Sequence, residues 1–351
     1  MRVLFVLPAP VRIPMGGAAV VYRHAEGLAR RGRKVTIATP RRGEGLGGRL
    51  IAGAVSVRNW VHGVSGRSEY TAVGVETVEP SSWRELGARR FDAVIATGYQ
   101  TAEWANSLSD KGRGFYFLQH DERHLTEAAE QTWHLPLVRI AVASWIAETV
   151  GAAGAPVAGV VPNAVDTDRF RSFVDPADRA PRVIALYHRL PSKGPDILID
   201  TLQGLRSDMQ EVEADVIAAR PPQHRFPSWV RVHVRPDAYQ LVDLYNHAAV
   251  CLHTSRLEGW GLVPMEAAAC GCAVVATESK GVNEYLVPDR SMLQVPVDDI
   301  AGLVAACRRV LADDALRLRL SEAAVEDVSR FSWEASTDQL ERLLLDHLGA
   351  A

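Results

Sequence analysis

The 351-residue chain alternates short apolar runs with segments of helical periodicity, and it does so in two successive series. "RVLFVL" (2–7) is a continuous apolar run stopped by Pro8 and Pro10, the pattern of a strand covered on both faces. The segment "MGGAAVVYRHAEGLARRG" that follows spaces Val21, Ala25, Leu28 and Ala29 as a helix does, carries basic residues in its last turn and ends on Gly32. "KVTIAT" (34–39), "DAVIAT" (92–97) and "GRGFYFLQ" (112–119) read as further strands, with helical "TAEWANSLSD" between the last two, and "VRIAVASWIAETVGAAG" passes from strand to helix. A second series starts at "PRVIALYHRL" (181–190) and continues through "ILIDTLQGLR", "EADVIAAR", "WVRVHVRP", "AYQLVDLYNHAAVCLHT" and "DIAGLVAACRRVLAD". Such alternation builds parallel, doubly wound sheets. Open parallel sheets take ligands beyond the carboxyl ends of their strands, so two domains of this kind would present their sites to one cleft.

The two series are joined by "VVPNAVDTDRFRSFVDPADRAP" (160–181), polar and broken by three prolines, which places a hinge near residues 162–180. The expected division is a first domain over 1–165, a second over 166–335, and a closing helix over 336–351 that packs back toward the first. With 47% hydrophobic and 23% charged residues the chain can build two cores. A formal net charge of −3 supplies no basic field for nucleic acid. Locally, Arg30, Arg31, Arg33, Lys34, Arg41, Arg42 and Arg49 form a basic stretch, either a solvated helix end and loop or a face for peripheral contact with an anionic membrane. Cys251, Cys270, Cys272 and Cys307 read as buried thiols without zinc-site spacing. The first apolar run is shorter than a signal-peptide core, so the expected location is the cytoplasm, with the inner face of the membrane as a working surface.

Chemistry concentrates in "HTSRLEGWGLVPMEAAACGCAVVAT" (253–277). "AVCLHT" reads as a strand and "LVPMEAAACG" as a helix with Pro264 in its first turn and Gly271 after its end. The turn between them carries Gly259 and Gly261, and a glycine turn at a helix N-terminus suits an anion, phosphate above all. Glu258 and Glu266 flank it. Carboxylates accept hydrogen bonds from hydroxyls, so a phosphate between two hydroxyl-reading acids describes a nucleotide sugar, against the plainer reading of a loop acid and a surface helix acid.

The E-x7-E pattern in "EGWGLVPMEAAACGCAVVAT" resembles the signature of the retaining glycosyltransferases of the GT-B fold, family 4 (glycosyl transferases group 1). "GGAAVVYRHAEGLARRG", "VVPNAVDTDRF", "RLPSKGPDILIDTL" and "FSWEASTDQLERLL" fit the same family in order, across nearly the whole chain. The resemblance implies two Rossmann-like doubly wound parallel-sheet domains facing a central cleft, the first binding the acceptor and the second the nucleotide sugar. Within the family, "FYFLQHDE" followed by "TWHLPLVRIAVASWIAETV" is similar to bacterial members that build cell-surface glycans from rhamnose-type donors.

By the resemblance Arg189 and Lys193 clamp the donor diphosphate, although they stand one position closer together than in the family. Glu258 binds sugar hydroxyls, Glu266 reads the ribose, and the amides of Gly259, Trp260, Gly261 and Leu262 approach sugar and phosphate. Gly16 and Gly17 match the glycine loop of the first domain, and His120 or Asp121 lines the sugar pocket. The acceptor, a glycan, glycolipid or small natural product, attacks on the face the diphosphate leaves, so no enzymic nucleophile is required. Asp166-Thr167-Asp168 falls inside the linker match and is read as structural, so no metal and no cofactor are expected. A nicotinamide enzyme is disfavoured because G-x-G-x-x-G is missing after "RVLFVL". A nucleotide-sugar epimerase or a phosphorylase on the same scaffold is the nearer rival, and a non-catalytic sugar-binding protein the third.

Overall fold

The computed structural model describes residues 1–8, 16–39, 72–79, 86, 88–108 and 112–349. Arg41, Arg42 and Arg49 of the basic stretch lie outside the described residues. Contacts divide the chain into two units, one of Met1–Pro162 with Trp333–Ala351, the other of Asn163–Ser332.

In the first unit β1 (Arg2–Val6), β2 (Lys34–Ala38), β3 (Val75–Val78), β4 (Ala93–Ala96), β5 (Arg113–Leu118), β6 (Val138–Ala141) and β7 (Val157–Val160) form one parallel sheet in the order β3-β2-β1-β4-β5-β6-β7. Its central strands are apolar along their length because helices cover both faces: Leu4, Phe5, Ile95, Phe115 and Phe117 are fully buried. The helices are α1 (Gly16–Arg30), α2 (Tyr99–Ser107), α3 (Ala128–Trp133), α4 (Ser144–Ala152) and, from the far end of the chain, α10 (Trp333–Gly349).

The last helix reaches this unit by a close fit against α1. A Cβ on Gly27 would stand 2.8 Å from Thr337 Oγ1, so only glycine permits the approach. His24 is fully buried at this seam, edge-on to Phe117 and Trp333 with ring centroids 5.5 and 5.6 Å away. Burial, and then the charge of Arg31, hold it neutral by lowering its pKa to about 3. At the rim Arg31 pairs with Asp338 at 2.7 Å and Arg33 with Glu341 at 2.5 Å.

In the second unit β8 (Arg182–Tyr187), β9 (Glu213–Ala218), β10 (Val230–Val234), β11 (Val250–His253), β12 (Ala273–Thr277) and β13 (Met292–Val295) form a parallel sheet in the order β10-β9-β8-β11-β12-β13. Around it lie α5 (Pro195–Asp208), α6 (Ala238–His247), α7 (Leu262–Ala269), α8 (Ile300–Ala312) and α9 (Asp314–Ser329). The four cysteines are free and buried here. In both sheets the chain leaves a central strand for one side and later returns to the other, between β1 and β4 and between β8 and β11. Such a reversal leaves a crevice at the carboxyl ends, and the side chains of interest stand at these two places.

Among the described residues no helix is long and apolar enough to cross a membrane.

Candidate functional site

At the second reversal two loops run side by side. The loop leaving β8 closes as a short turn, Pro191–Lys193, and Gly194 turns left-handed at φ 60° to start α5. The loop leaving β11 carries Ser255 and Glu258 and enters α7 through Gly261 at φ 90°. Main-chain bonds join them: the Ser192 carbonyl accepts from the amides of Arg256 and Leu257 at 2.8 and 3.2 Å. Across this seam Lys193 Nζ donates to Glu258 Oε2 at 2.6 Å.

Glu258 is only 7% exposed, which a lone carboxylate would not tolerate, and its partners account for that. Ser255 Oγ donates to Oε1 at 2.9 Å, and the Glu258 amide bonds the Ser279 carbonyl at 2.9 Å. Beneath it His253 contacts Ser279 Oγ at 3.2 Å and stands 3.9 Å from Oε1. Burial lowers the His253 pKa to about 4, so a neutral ring underlies the acid. His188, at the end of β8, is likewise lowered to about 4, by burial first and then by the Lys193 charge. Lys193 and Glu258, expected from the sequence, are thus together. His188, His253, Ser255 and Ser279 were not anticipated; that His188 and His253 stand at the carboxyl ends of the two strands flanking the reversal is the signal that marks them.

The other anticipated residues divide. Glu266 faces Tyr245, whose hydroxyl donates to Oε2 at 3.1 Å, and it is half-buried on the first turns of α7. Gly259, Gly261 and Leu262 stand where the glycine turn meets α7, which leaves their amides at the helix N-terminus. Trp260 has a different place: its indole is buried, stacks on Tyr285 with centroids 5.5 Å apart and lies edge-on to Phe331, so its side chain is core. Arg189 is exposed and donates to the Pro221 carbonyl at 2.7 Å.

In the first unit Gly16 and Gly17 are exposed at the start of α1, and a Cβ on Gly17 would stand 3.3 Å from Gln119 Oε1. Of the pair expected to line a sugar pocket, Asp121 is committed locally: it accepts from the Arg123 amide at 3.1 Å and pairs with Arg123 Nη2 at 2.8 Å. His120 is half-buried, with Nδ1 3.1 Å from the Asp121 carbonyl and its ring against His124. The carboxylate set into this edge is Glu122, the next residue. Its Oε2 accepts from the Tyr99 amide at 2.7 Å, at the N-terminus of α2, and from Tyr116 Oη at 3.0 Å.

Burial, with a smaller contribution from the Asp121 charge, raises the Glu122 pKa to about 7. A carboxyl whose folded pKa lies above its unfolded value holds more protons in the folded state, so it lowers stability as pH rises from 4.5 through about 7. Glu122→Gln keeps an acceptor for both donors without the charge. It is expected to stabilise the protein by about 3 kcal/mol at pH 8 and to change nothing at pH 4. Urea melts at the two pH values check this, and an equal loss of stability at both would refute it.

Among the described residues no group of three or more His, Cys, Asp or Glu side chains could hold a metal ion. The Asp166 carbonyl closes a turn, accepting from the amides of Arg169 and Phe170 at 3.1 and 2.7 Å.

Two Rossmann-like units, each with a parallel sheet reversing at its centre, define a GT-B fold. Residues 181–313 match the family model described as "Glycosyl transferases group 1". Over 211 residues it is 29% identical to the D-inositol 3-phosphate glycosyltransferase of Corynebacterium jeikeium, covering 52% of this chain and 50% of that one. The chain spans about half the length of the curated relatives it matches. In fold it is similar to the sucrose-phosphate synthase (tll1590) of Thermosynechococcus elongatus, with a TM-score of 0.78 at 17% identity over 100% of both chains. Anabaena Alr3699/HepE in complex with UDP-glucose gives a TM-score of 0.76, also at 17% identity over 100% of both chains.

Proposed function

We propose that this protein is a retaining, metal-independent glycosyltransferase that moves a hexosyl or deoxyhexosyl group from a nucleoside-diphosphate sugar to a hydroxyl of a glycan, glycolipid or small molecule. The observation that carries the reading is the Lys193–Glu258 pair, a cation and an acid 2.6 Å apart beside a glycine turn at the N-terminus of α7. Each is the other's stand-in for a donor group. When the donor enters, its diphosphate takes the ammonium and its sugar hydroxyls take the carboxylate. Bond cleavage then concentrates charge on the departing diphosphate, where Lys193 and the amides of Gly259 to Leu262 offset it. Glu266 reads the ribose, and a diphosphate oxygen takes the acceptor's proton. The likeness to proteins named as glycosyltransferases, and to a fold crystallised with UDP-glucose, supports the same reading. A glycolipid acceptor would bring the protein to the inner membrane face.

Thermal melts with UDP, GDP, dTDP and ADP test it. At a hundredfold excess over Kd one diphosphate is expected to raise the Tm of the second unit by roughly 5–10 °C. If none of the four shifts the melt and titration calorimetry is silent, the reading fails. With a binding donor in hand, release of free diphosphate only in the presence of acceptor separates transfer from epimerisation, and the anomeric configuration of the product by NMR decides retention.

A further inference from the structure

We propose that Arg256 is a positioning residue that sets the place of Lys193, an inference that rests on the donor site proposed above. Arg256 lies two residues before Glu258, yet its side chain turns back onto the opposite loop. Nη1 donates to the Pro191 carbonyl at 2.9 Å and to Asp196 Oδ1 at 2.9 Å, and Nη2 meets Asp196 Oδ2 at 2.5 Å. Nε reaches Asp298 Oδ1, in the loop after β13, at 2.8 Å. The guanidinium therefore joins three segments far apart in sequence, and Pro191 and Asp196 bracket Lys193 on either side. The Arg256 amide adds its bond to the Ser192 carbonyl at 2.8 Å, so side chain and main chain together grip the turn.

The geometry calls for arginine. One planar fork satisfies a bidentate carboxylate, a carbonyl and a second carboxylate at once, which a lysine ammonium, a single point charge, cannot reproduce. Surface ion pairs of this kind add little to global stability, because water screens them. Their effect is local: they hold a short turn whose third residue must place an ammonium on a diphosphate.

The test is a double-mutant cycle. Arg256→Met, which keeps the stem, is expected to weaken binding of the nucleoside diphosphate selected in the thermal screen by about tenfold, and Arg256→Lys by less. In a Lys193→Ala background Arg256→Met should weaken it no further, because the residue acts through Lys193. An equal loss in both backgrounds, or no loss in either, overturns the proposal. If the wild type binds none of the four diphosphates, the donor reading has failed and the positioning role is read from Lys193 itself. Reductive methylation followed by mass spectrometry should then show Lys193 modified several-fold faster in Arg256→Met than in the wild type, approaching the rate in Glu258→Gln. An unchanged rate overturns the proposal on its own terms.

Discussion

Lys193→Ala is expected to lower the rate of sugar transfer at saturating donor by roughly 10²- to 10³-fold, the loss seen when one preorganised group facing a developing negative charge is removed. The side chain sits at the end of a turn fixed by Gly194 and by bonds to the neighbouring loop, so its charge is in place before the donor arrives. The substitution has a second effect: it strands Glu258, whose side chain is 10% exposed beside a lysine side chain 19% exposed. Losing one partner of a buried pair costs about 3–5 kcal/mol, so a dead variant could simply be a poorly folded one. Lys193→Met combined with Glu258→Gln removes both charges, keeps the Ser255 hydrogen bond and should melt close to the wild type while transferring no faster than Lys193→Ala. Initial rates across a donor series, with melts on the same samples, check both parts. Wild-type turnover in the double variant would remove the two residues from the chemistry.

Gly194→Ala is expected to be the most damaging substitution at a residue that carries no chemistry. A Cβ there would stand 2.1 Å from the Thr254 carbonyl oxygen and 3.1 Å from Ile197 Cδ1, at a φ of +60° that alanine adopts only with strain. The carbonyl belongs to the chain just beyond β11 and cannot retreat without moving the loop that holds Ser255 and Glu258. Overpacking and backbone strain together should cost about 3–4 kcal/mol, or roughly 10 °C in the melt of the second unit, with donor binding lost in the same variant. Gly151→Ala is the control: it lies exposed in α4 with nothing within 4 Å of its added methyl, so a gain of about 0.5–1 kcal/mol is expected. Equal melts for the two variants would contradict the account.

Much of this architecture was legible as pattern. "RVLFV", "AVIA" and "VCLH" are strands in the structure because a parallel strand covered on both faces must be apolar along its length. The helix over "LVPMEAAA", with Pro264 in its first turn and Gly271 at φ +82° beyond its end, followed from rules as local as the residues themselves. Local rules failed where the answer depended on what lay across the fold. The glycine turn offers the Trp260 amide to a ligand, but where its indole goes was set across the fold, by Tyr285 and Phe331, which took the ring into the core. Asp121 and Glu122 are neighbours of like chemistry, and only Arg123 on one side and Tyr99 with Tyr116 on the other tell the capping acid from the one whose pKa climbs to about 7.

The sequence by itself determined that strands of parallel type alternate with helices in two successive series and that acids at 258 and 266 flank a glycine turn, because periodicity and turn chemistry act over a few residues. Tertiary structure alone decided that Lys193 meets Glu258 across 65 positions of chain, that Arg189 turns to Pro221, and that Ser255 and a neutral His253 ring stand against the acid. Those contacts arise where loops from separate strands converge at the reversal of a parallel sheet, and no stretch of sequence encodes which distant loop it will face.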